Sequence, residues 1–168
     1  MTSRDLEVCG DCGVVLPRID RPAHPYLGAS PSCWALYGEV LAREYSDPEL
    51  MKVHRFTVDA YAAQHPGKPG RRAIQSVWAH LGGLYLTVEK GASTRFTTRV
   101  IGLITTISQD LPWLEPPETL GSMTVADVAS EPDAHAAAVR RWAADVWAAW
   151  ACHHRRVIAL ADELAARP

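Results

Sequence analysis

The sequence predicts a mainly α protein: a helical bundle of four to five helices with a small turn-rich N-terminal zinc-binding lobe. After residue 32, apolar side chains recur every three or four positions over several segments, which is the period of one face of an α-helix. Before that point, glycine and proline interrupt the chain repeatedly and no helical period is visible. At 168 residues the chain is 48% hydrophobic and 21% charged, which is typical of one globular domain. We divide it into a lobe, residues 1–32, and a bundle, residues 33–168.

The first two helices are indicated by the residues that cap their N-termini. Ser30 followed by Pro31 is a preferred helix start, because the serine hydroxyl accepts from a free amide and proline suits the first helical position. The segment from Ser46 to Glu49 has the pattern of a capping box and starts a second helix. That helix ends before Pro66, since a residue that precedes proline disfavours helical geometry.

Three further segments complete the predicted bundle. Helical spacing of apolar residues predicts a third helix from about Arg71 to Lys90, with Gly91 as its C-cap. A fourth is predicted over residues 94–110. The proline-containing segment 111–123 cannot be regular helix, and we expect it to be either a packed strap or a lid. The alanine-rich segment 132–166 is predicted to be the longest helix of the protein.

Two cysteines separated by two residues form the strongest local signal. In Cys9-Gly-Asp-Cys12-Gly both sulfurs can reach one tetrahedral ion, and the glycines permit the tight turn that this requires. Redox proteins use the same spacing, normally at the start of a helix. Here Val14-Val-Leu-Pro17 follows instead, which is similar to the return strand of a zinc knuckle. We therefore predict zinc as the cofactor, holding a lobe that is too small for a core of its own.

The other two zinc ligands are predicted from their positions. Cys33 falls in the first turn of the first predicted helix, where the helix dipole favours the thiolate that a metal needs. His24 lies between the cysteine pair and that helix and is predicted as the fourth ligand. The alternatives are that Cys33 is an ordinary buried cysteine, that His24 is an exposed loop residue, and that Cys152 binds the metal instead. A site with four protein ligands stabilises the fold and does no chemistry.

Four histidines on or beside predicted helices are candidates for a second, catalytic site: His54, His65, His80 and His154. If they converge, they could bind a small molecule or a second metal and assist hydrolysis, dehydration or lyase cleavage, with His54 and His154 exchanging protons. The alternative is that each histidine donates one hydrogen bond to a carbonyl or carboxylate and only packs. Asp59 is turned away from His54 on an ideal helix, which disfavours a His–Asp dyad. His135 is predicted to be exposed.

Four segments spread over most of the chain are distinctive in combination. They are Cys9-Gly-Asp-Cys12-Gly, Ala29-Ser-Pro-Ser-Cys33-Trp, Val53-His-Arg-Phe-Thr-Val-Asp-Ala-Tyr-Ala-Ala-Gln-His-Pro-Gly67 and Trp147-Ala-Ala-Trp-Ala-Cys-His-His154. Together they resemble an uncharacterised bacterial family that is described only as a domain of unknown function. The resemblance implies a cysteine-bearing helical protein of the bacterial cytoplasm, and it carries no assigned activity. The residues that it marks are Cys9, Cys12, Cys33, His54, Asp59, Gln64, His65 and His154.

The composition excludes several classes of function. A net charge of -2 without a long basic run disfavours a nucleic-acid-binding protein. No segment approaches the roughly 18 apolar residues that cross a bilayer, and no signal peptide is visible, so we predict a cytoplasmic location without membrane contact. The predicted function is a zinc-binding helical protein with a histidine-lined pocket for a small molecule. The alternative is a non-catalytic, zinc-stabilised protein-interaction module.

Overall fold

The computed structural model describes residues 5–168, and α-helices make up most of this part of the chain. Its two strands are β1 (Leu6–Val8) and β2 (Val15–Pro17), and its helices are α1 (Pro31–Tyr45), α2 (Pro48–Met51), α3 (His54–Gln64), α4 (Arg71–Leu84), α5 (Thr94–Ile107), α6 (Val125–Ser130), α7 (His135–Ala149) and α8 (His154–Ala165). The prediction of a mainly α protein is confirmed. Within residues 5–168, no helix combines the length and the apolar character that crossing a membrane requires.

The N-terminal lobe contains an antiparallel β-hairpin. Leu6 pairs with Pro17 and Val8 pairs with Val15, so these side chains share one face of the hairpin because side chains alternate along a strand. That face is exposed to solvent. The other face is anchored to the bundle, since the carboxylate of Glu7 accepts a hydrogen bond from the Ser32 amide at the start of α1. Residues 1–4, which we also assigned to the lobe, lie outside the described residues.

The predicted second helix is divided into α2 and α3. Asp47 caps α2 instead of Ser46, and a tight turn at Lys52 and Val53 separates the two helices. The amides of these two turn residues bond to carbonyls three positions earlier in the chain, at 3.3 and 3.0 Å. The prediction of one uninterrupted helix is therefore wrong here. The turn buries Val53 and brings His54 to the carboxylate of Glu44 on α1.

The predicted C-terminal helix is also divided, into α7 and α8 with short 3-10 turns before each. The break falls at Trp150, whose side chain is fully buried and whose indole N–H donates to the Ala63 carbonyl at 3.1 Å. No glycine or proline stands between residues 135 and 165. Local helix propensity therefore gives no sign of this break, which coincides with the buried tertiary contact of Trp150.

The segment that joins α5 to α6 is a packed strap. Leu114 is fully buried, and the Trp78 indole donates to the Pro112 carbonyl at 2.8 Å. The side-chain amide of Gln64 donates to the carbonyls of Leu120 and Met123 at 2.8 and 2.7 Å. These contacts fix the strap to α3 and α4, so the first of the two predicted alternatives for residues 111–123 is the one observed.

Helix α3 lies at the centre of the bundle. All of its residues from Asp59 to Gln64 are buried, and it packs against α1, α4 and α7. The side-chain oxygen Oε1 of Gln64 accepts a hydrogen bond from the Trp142 indole N–H of α7 at 3.0 Å. This burial holds the C-terminal end of α3, and with it His65, in a fixed position beside the lobe.

Candidate metal centre

The turn of the β-hairpin carries the first two cysteines. The Cys9 amide donates to the Val14 carbonyl at 2.9 Å, and the Gly13 amide donates to the Cys9 carbonyl at 3.0 Å. Gly13 has a φ of +74°, a left-handed conformation that glycine adopts without steric cost. These bonds close a tight turn, which presents the sulfurs of Cys9 and Cys12 to the same region.

The start of α1 supplies the third cysteine. Ser30 caps the helix, as predicted, with its hydroxyl accepting from the Cys33 amide at 3.2 Å. The Ser30 amide in turn donates to the Cys9 sulfur at 3.4 Å. The Cys33 side chain is fully buried. The first turn of α1 is therefore joined directly to the hairpin turn.

The end of α3 supplies an imidazole. His65 leaves helical geometry, with φ of -127° and ψ of 61°, as expected for a residue before proline. Its Nδ1 lies 2.7 Å from the Tyr61 carbonyl, which can only accept, so Nδ1 carries the proton. Nε2 is left facing Cys33 Sγ at 3.5 Å. A histidine that is oriented in this way by a backbone carbonyl is ready to bind a metal.

These residues form one compact group of metal-ligating atoms. The Sγ atoms of Cys9, Cys12 and Cys33 and one ring nitrogen of His65 all lie within 4.8 Å of one another. Cys12 Sγ and Cys33 Sγ are 3.9 Å apart. Cys9, Cys33 and His65 are buried, whereas Cys12 is half-buried. Three thiolates and one imidazole are a ligand set that structural zinc sites use, and soft sulfur ligands disfavour magnesium and calcium.

The electrostatics of the group favour a bound cation. Hydrogen bonding to Cys12 and Cys33 lowers the pKa of the Cys9 thiol, while contacts with Cys12 and Cys9 raise the pKa of Cys33. The thiols therefore do not ionise independently, because like charges this close disfavour each other. A divalent metal would remove that conflict, since a coordinating thiol loses its proton outright.

The three predicted cysteines come together, but the predicted fourth ligand does not join them. His24 Nδ1 accepts from the backbone amides of Tyr26 and Leu27 at 3.3 and 3.1 Å, so this nitrogen is already used. The His24 ring packs against Trp34 with 4.7 Å between ring centroids. His65, which we predicted as a catalytic residue, takes the fourth place instead. The rival ligand Cys152 is exposed and stands outside the group.

The other three candidate catalytic histidines have separate partners. His54 Nδ1 donates to the Glu44 carboxylate, and His80 Nδ1 donates to the Asp59 carboxylate, both at 2.7 Å. His154 Nε2 donates to the Trp147 carbonyl at 2.8 Å, and its ring is stacked on that indole. Each interaction is of the packing type that we considered as the alternative to a shared site.

Two buried carboxylates were missed as histidine partners. Glu44 is fully buried and accepts from His54, from His135 Nε2 at 2.9 Å and from the Thr57 hydroxyl. His135 is thus buried, and the prediction that it is exposed is wrong. The sequence does contain a signal for this burial. Glu44 follows Val40 and Tyr37 at helical spacing, which places it on the buried face of α1, and a carboxylate there requires partners. Asp59 binds His80, not His54, as its angular position on α3 requires.

Comparison with known proteins gives a family and no activity. No curated protein and no solved structure matches the chain. A family profile described as "Family of unknown function (DUF5946)" matches residues 7–151. That span includes all four residues of the candidate metal centre and the buried carboxylates with their histidine partners. Because the match covers most of the chain, the protein belongs to the DUF5946 family.

Proposed function

We propose that this protein binds one structural zinc ion through Cys9, Cys12, Cys33 and His65 and serves as a non-catalytic, zinc-stabilised interaction module of the cytoplasm. One observation carries the proposal: four ligand atoms from three separate chain segments lie within 4.8 Å of one another. Four protein ligands complete a tetrahedral shell and leave no position for water or substrate. The zinc would therefore hold the fold together.

The hairpin packs only partly against the bundle, through half-buried Val14 and Leu16 and the hydrogen bond from the Ser32 amide to Glu7. The apolar face of the hairpin points to solvent, with Leu6 and Val8 61% and 65% exposed, and a two-stranded hairpin is marginally stable alone. Zinc binding contributes about 10–16 kcal/mol in small zinc-binding peptides. Coordination by Cys9 and Cys12 on one side and by Cys33 and His65 on the other would tie the hairpin turn to the bundle.

The structure supports a histidine-lined catalytic pocket less well. His65 belongs to the cysteine group, and His80 and His154 each have a partner of their own. Convergence of these side chains was the feature that would have favoured catalysis. One observation keeps acid–base chemistry as the second candidate: His54, oriented by Glu44, lines a cleft of about 330 Å³ together with Arg55 and Thr98.

The zinc proposal is tested by metal analysis of two matched cysteine variants. We expect about one zinc per chain in the purified protein, and we expect Cys12→Ser to lose it, because serine replaces a thiolate ligand. Thermal unfolding of Cys12→Ser should shift to lower temperature, since metal binding is coupled to folding. Cys152→Ser is the control, because Cys152 is exposed and outside the group.

Two results would contradict the proposal. The first is a protein that binds no zinc after purification and reconstitution under reducing conditions. The second is a Cys12→Ser variant that retains zinc with the affinity of the unmodified protein. Zinc that survives this substitution while being lost in His54→Ala would instead support the histidine cleft.

A further inference from the structure

A groove of about 510 Å³ lies next to the candidate metal centre. One wall is the loop of Pro25, Tyr26 and Leu27, and the opposite rim carries Lys68, Arg71 and Arg72. This volume is within the range of binding sites for small molecules and short peptide segments. None of the residues that line the groove belongs to the group that would hold zinc.

The rim of the groove concentrates positive charge. Lys68, Arg71 and Arg72 are all exposed, and none of them forms an ion pair with a carboxylate within residues 5–168, whereas other exposed cations do, such as Arg141 with Glu131. The chain as a whole has a net charge of -2. Three neighbouring cations without carboxylate partners repel one another and attract an anionic ligand. The rim therefore favours negative charge, whereas the Asp11 carboxylate, which contacts the lining residues Gly28 and Gly67, is already bonded to the Gly67 amide.

The opposite wall selects for an apolar group. Tyr26 and Leu27 are half-buried, and together with Pro25 they offer an aromatic and aliphatic surface. A bare inorganic anion would leave this wall unused. Binding of a nucleic-acid backbone is disfavoured because it normally uses a longer basic face than the three cations at this rim. An acidic peptide with one apolar side chain matches both sides of the groove.

We propose that this groove binds an acidic segment of a partner protein, with carboxylates at Lys68, Arg71 and Arg72 and one apolar side chain against Tyr26 and Leu27. The inference rests on the proposed interaction function and identifies the surface and the partner chemistry. Aromatic anchors and arginines are the residue types that protein interfaces favour.

The metal centre supports both walls of the groove. The Gly28 amide donates to the His65 carbonyl at 3.4 Å, and the Gly67 amide donates to the carboxylate of Asp11 at 2.8 Å. Asp11 lies between Cys9 and Cys12, and Gly67 lies two residues after His65. Coordination of zinc by these neighbours would hold the two walls at a fixed separation. Peptide binding should therefore depend on zinc.

The test measures binding of a defined probe to the zinc-loaded full-length protein. The probe is a fluorescein-labelled peptide, Glu-Glu-Leu-Glu-Glu, and the readout is fluorescence anisotropy at low ionic strength, where charge attraction is least screened. We expect binding that is weakened at least about tenfold by the double substitution Arg71→Glu and Arg72→Glu, because two attractions become repulsions. Removal of zinc by a chelator should also weaken it.

A matched charge reversal controls for net charge and stability. Arg155 and Arg156 are also exposed and also lie in the first turn of a helix, α8, where acidic residues are favoured. Arg155→Glu with Arg156→Glu changes the net charge equally and should leave peptide affinity unchanged within about twofold. Both double variants should keep their zinc, because none of these arginines belongs to the cysteine–histidine group. A loss of peptide binding can therefore be distinguished from a loss of zinc.

Several outcomes would overturn the inference while zinc binding stands. They are a lack of peptide binding by the zinc-loaded protein, equal loss of affinity in both double variants, and equal affinity of a peptide with alanine in place of leucine. Tighter binding of a single-stranded oligonucleotide of the same charge would also overturn it. If the protein holds no zinc, the proposed function itself fails first.

Discussion

Pro66 determines where the imidazole of His65 can point. A proline disfavours helical geometry at the preceding residue, and His65 accordingly ends α3 with φ of -127°. Its Nδ1 is then within 2.7 Å of the Tyr61 carbonyl, and this bond selects the tautomer whose Nε2 can bind a metal. One local backbone constraint thus sets the position of the His65 imidazole and places a proton on its Nδ1.

Two histidine substitutions distinguish His65, the fourth ligand that we propose, from His24, the fourth ligand that the sequence predicts. We expect His65→Ala to weaken zinc binding at least about a hundredfold, because loss of a ligand costs more than the 10- to 100-fold effect of an outer-shell partner. His24→Ala should change the affinity by less than about threefold, since His24 interacts with backbone amides and Trp34. Competition with a chromophoric chelator measures both. Reversed effects would restore His24 as the ligand.

At the scale of single residues, the sequence predicted the three cysteines of the cluster but not its histidine, His65. The spacing of Cys9 and Cys12 and the capped helix start before Cys33 are local patterns, and local patterns can be read without a fold. The choice of His24 rested on its proximity along the chain. The approach of His65 to Cys33, 32 residues away, depends on how α3 packs, which no local pattern contains.

At the scale of elements, a glycine after α3 permits the close approach of two loops. Gly67 has a φ of +69°, and a Cβ atom there would lie 2.3 Å from the Tyr26 carbonyl oxygen, which belongs to the backbone and cannot move easily. Any side chain at this position would therefore strain the backbone and separate the loop of residues 25–28 from the end of α3.

Two glycine-to-alanine substitutions should therefore have opposite effects. Gly67→Ala should lower the free energy of unfolding of the zinc-loaded protein by about 1–3 kcal/mol, from backbone strain and the clash with Tyr26. Gly38→Ala should raise the free energy of unfolding by up to about 1 kcal/mol, because alanine has the higher helix propensity. Gly38 lies inside α1, and an added Cβ atom there would meet no other atom within 4 Å. Urea unfolding at saturating zinc measures both. A neutral Gly67→Ala would show that the loops are not tightly coupled.

The elements with strong terminal signals were predicted best. Ser30 caps the start of α1 as expected, and Gly91, with a φ of +58°, follows the π-helical turn Tyr85–Glu89 that continues from α4. The breaks at Val53 and Trp150 were not predicted, since neither site has a helix-breaking residue. Each break accompanies the burial of a side chain. Val53 packs in the core, and the Trp150 indole N–H donates to the Ala63 carbonyl. Tertiary packing overrides helix propensity at such positions.

At the scale of the whole molecule, the lobe and the bundle are stabilised by different interactions. The bundle has a continuous core around α3 that includes Trp142, Trp150 and Leu114. The lobe contributes Cys9 to that core, but the apolar face of its hairpin is exposed. Stability that is distributed in this way allows one part to open while the other remains folded.

Removal of zinc should accordingly affect the two parts unequally. We expect a chelator to increase amide hydrogen exchange of the hairpin, residues 6–17, by at least about tenfold, because its link to the bundle is lost. Amides at the centre of α4 and α7 should retain most of their protection, since Gln64, Trp142 and the strap hold them together. Mass spectrometry of peptic fragments reports both regions. Uniform deprotection of the whole chain would contradict this division.

The long interval between Cys33 and His65 has a consequence for biosynthesis. The chain emerges from the ribosome with its three thiols first, and the imidazole follows 32 residues after the third of them. Until α3 has been made and has docked, a nascent chain can offer an ion only an incomplete shell. Under the zinc proposal, tight capture of the ion would require that the middle of the polypeptide has folded, and we expect that residues 1–32 alone would not retain their shape.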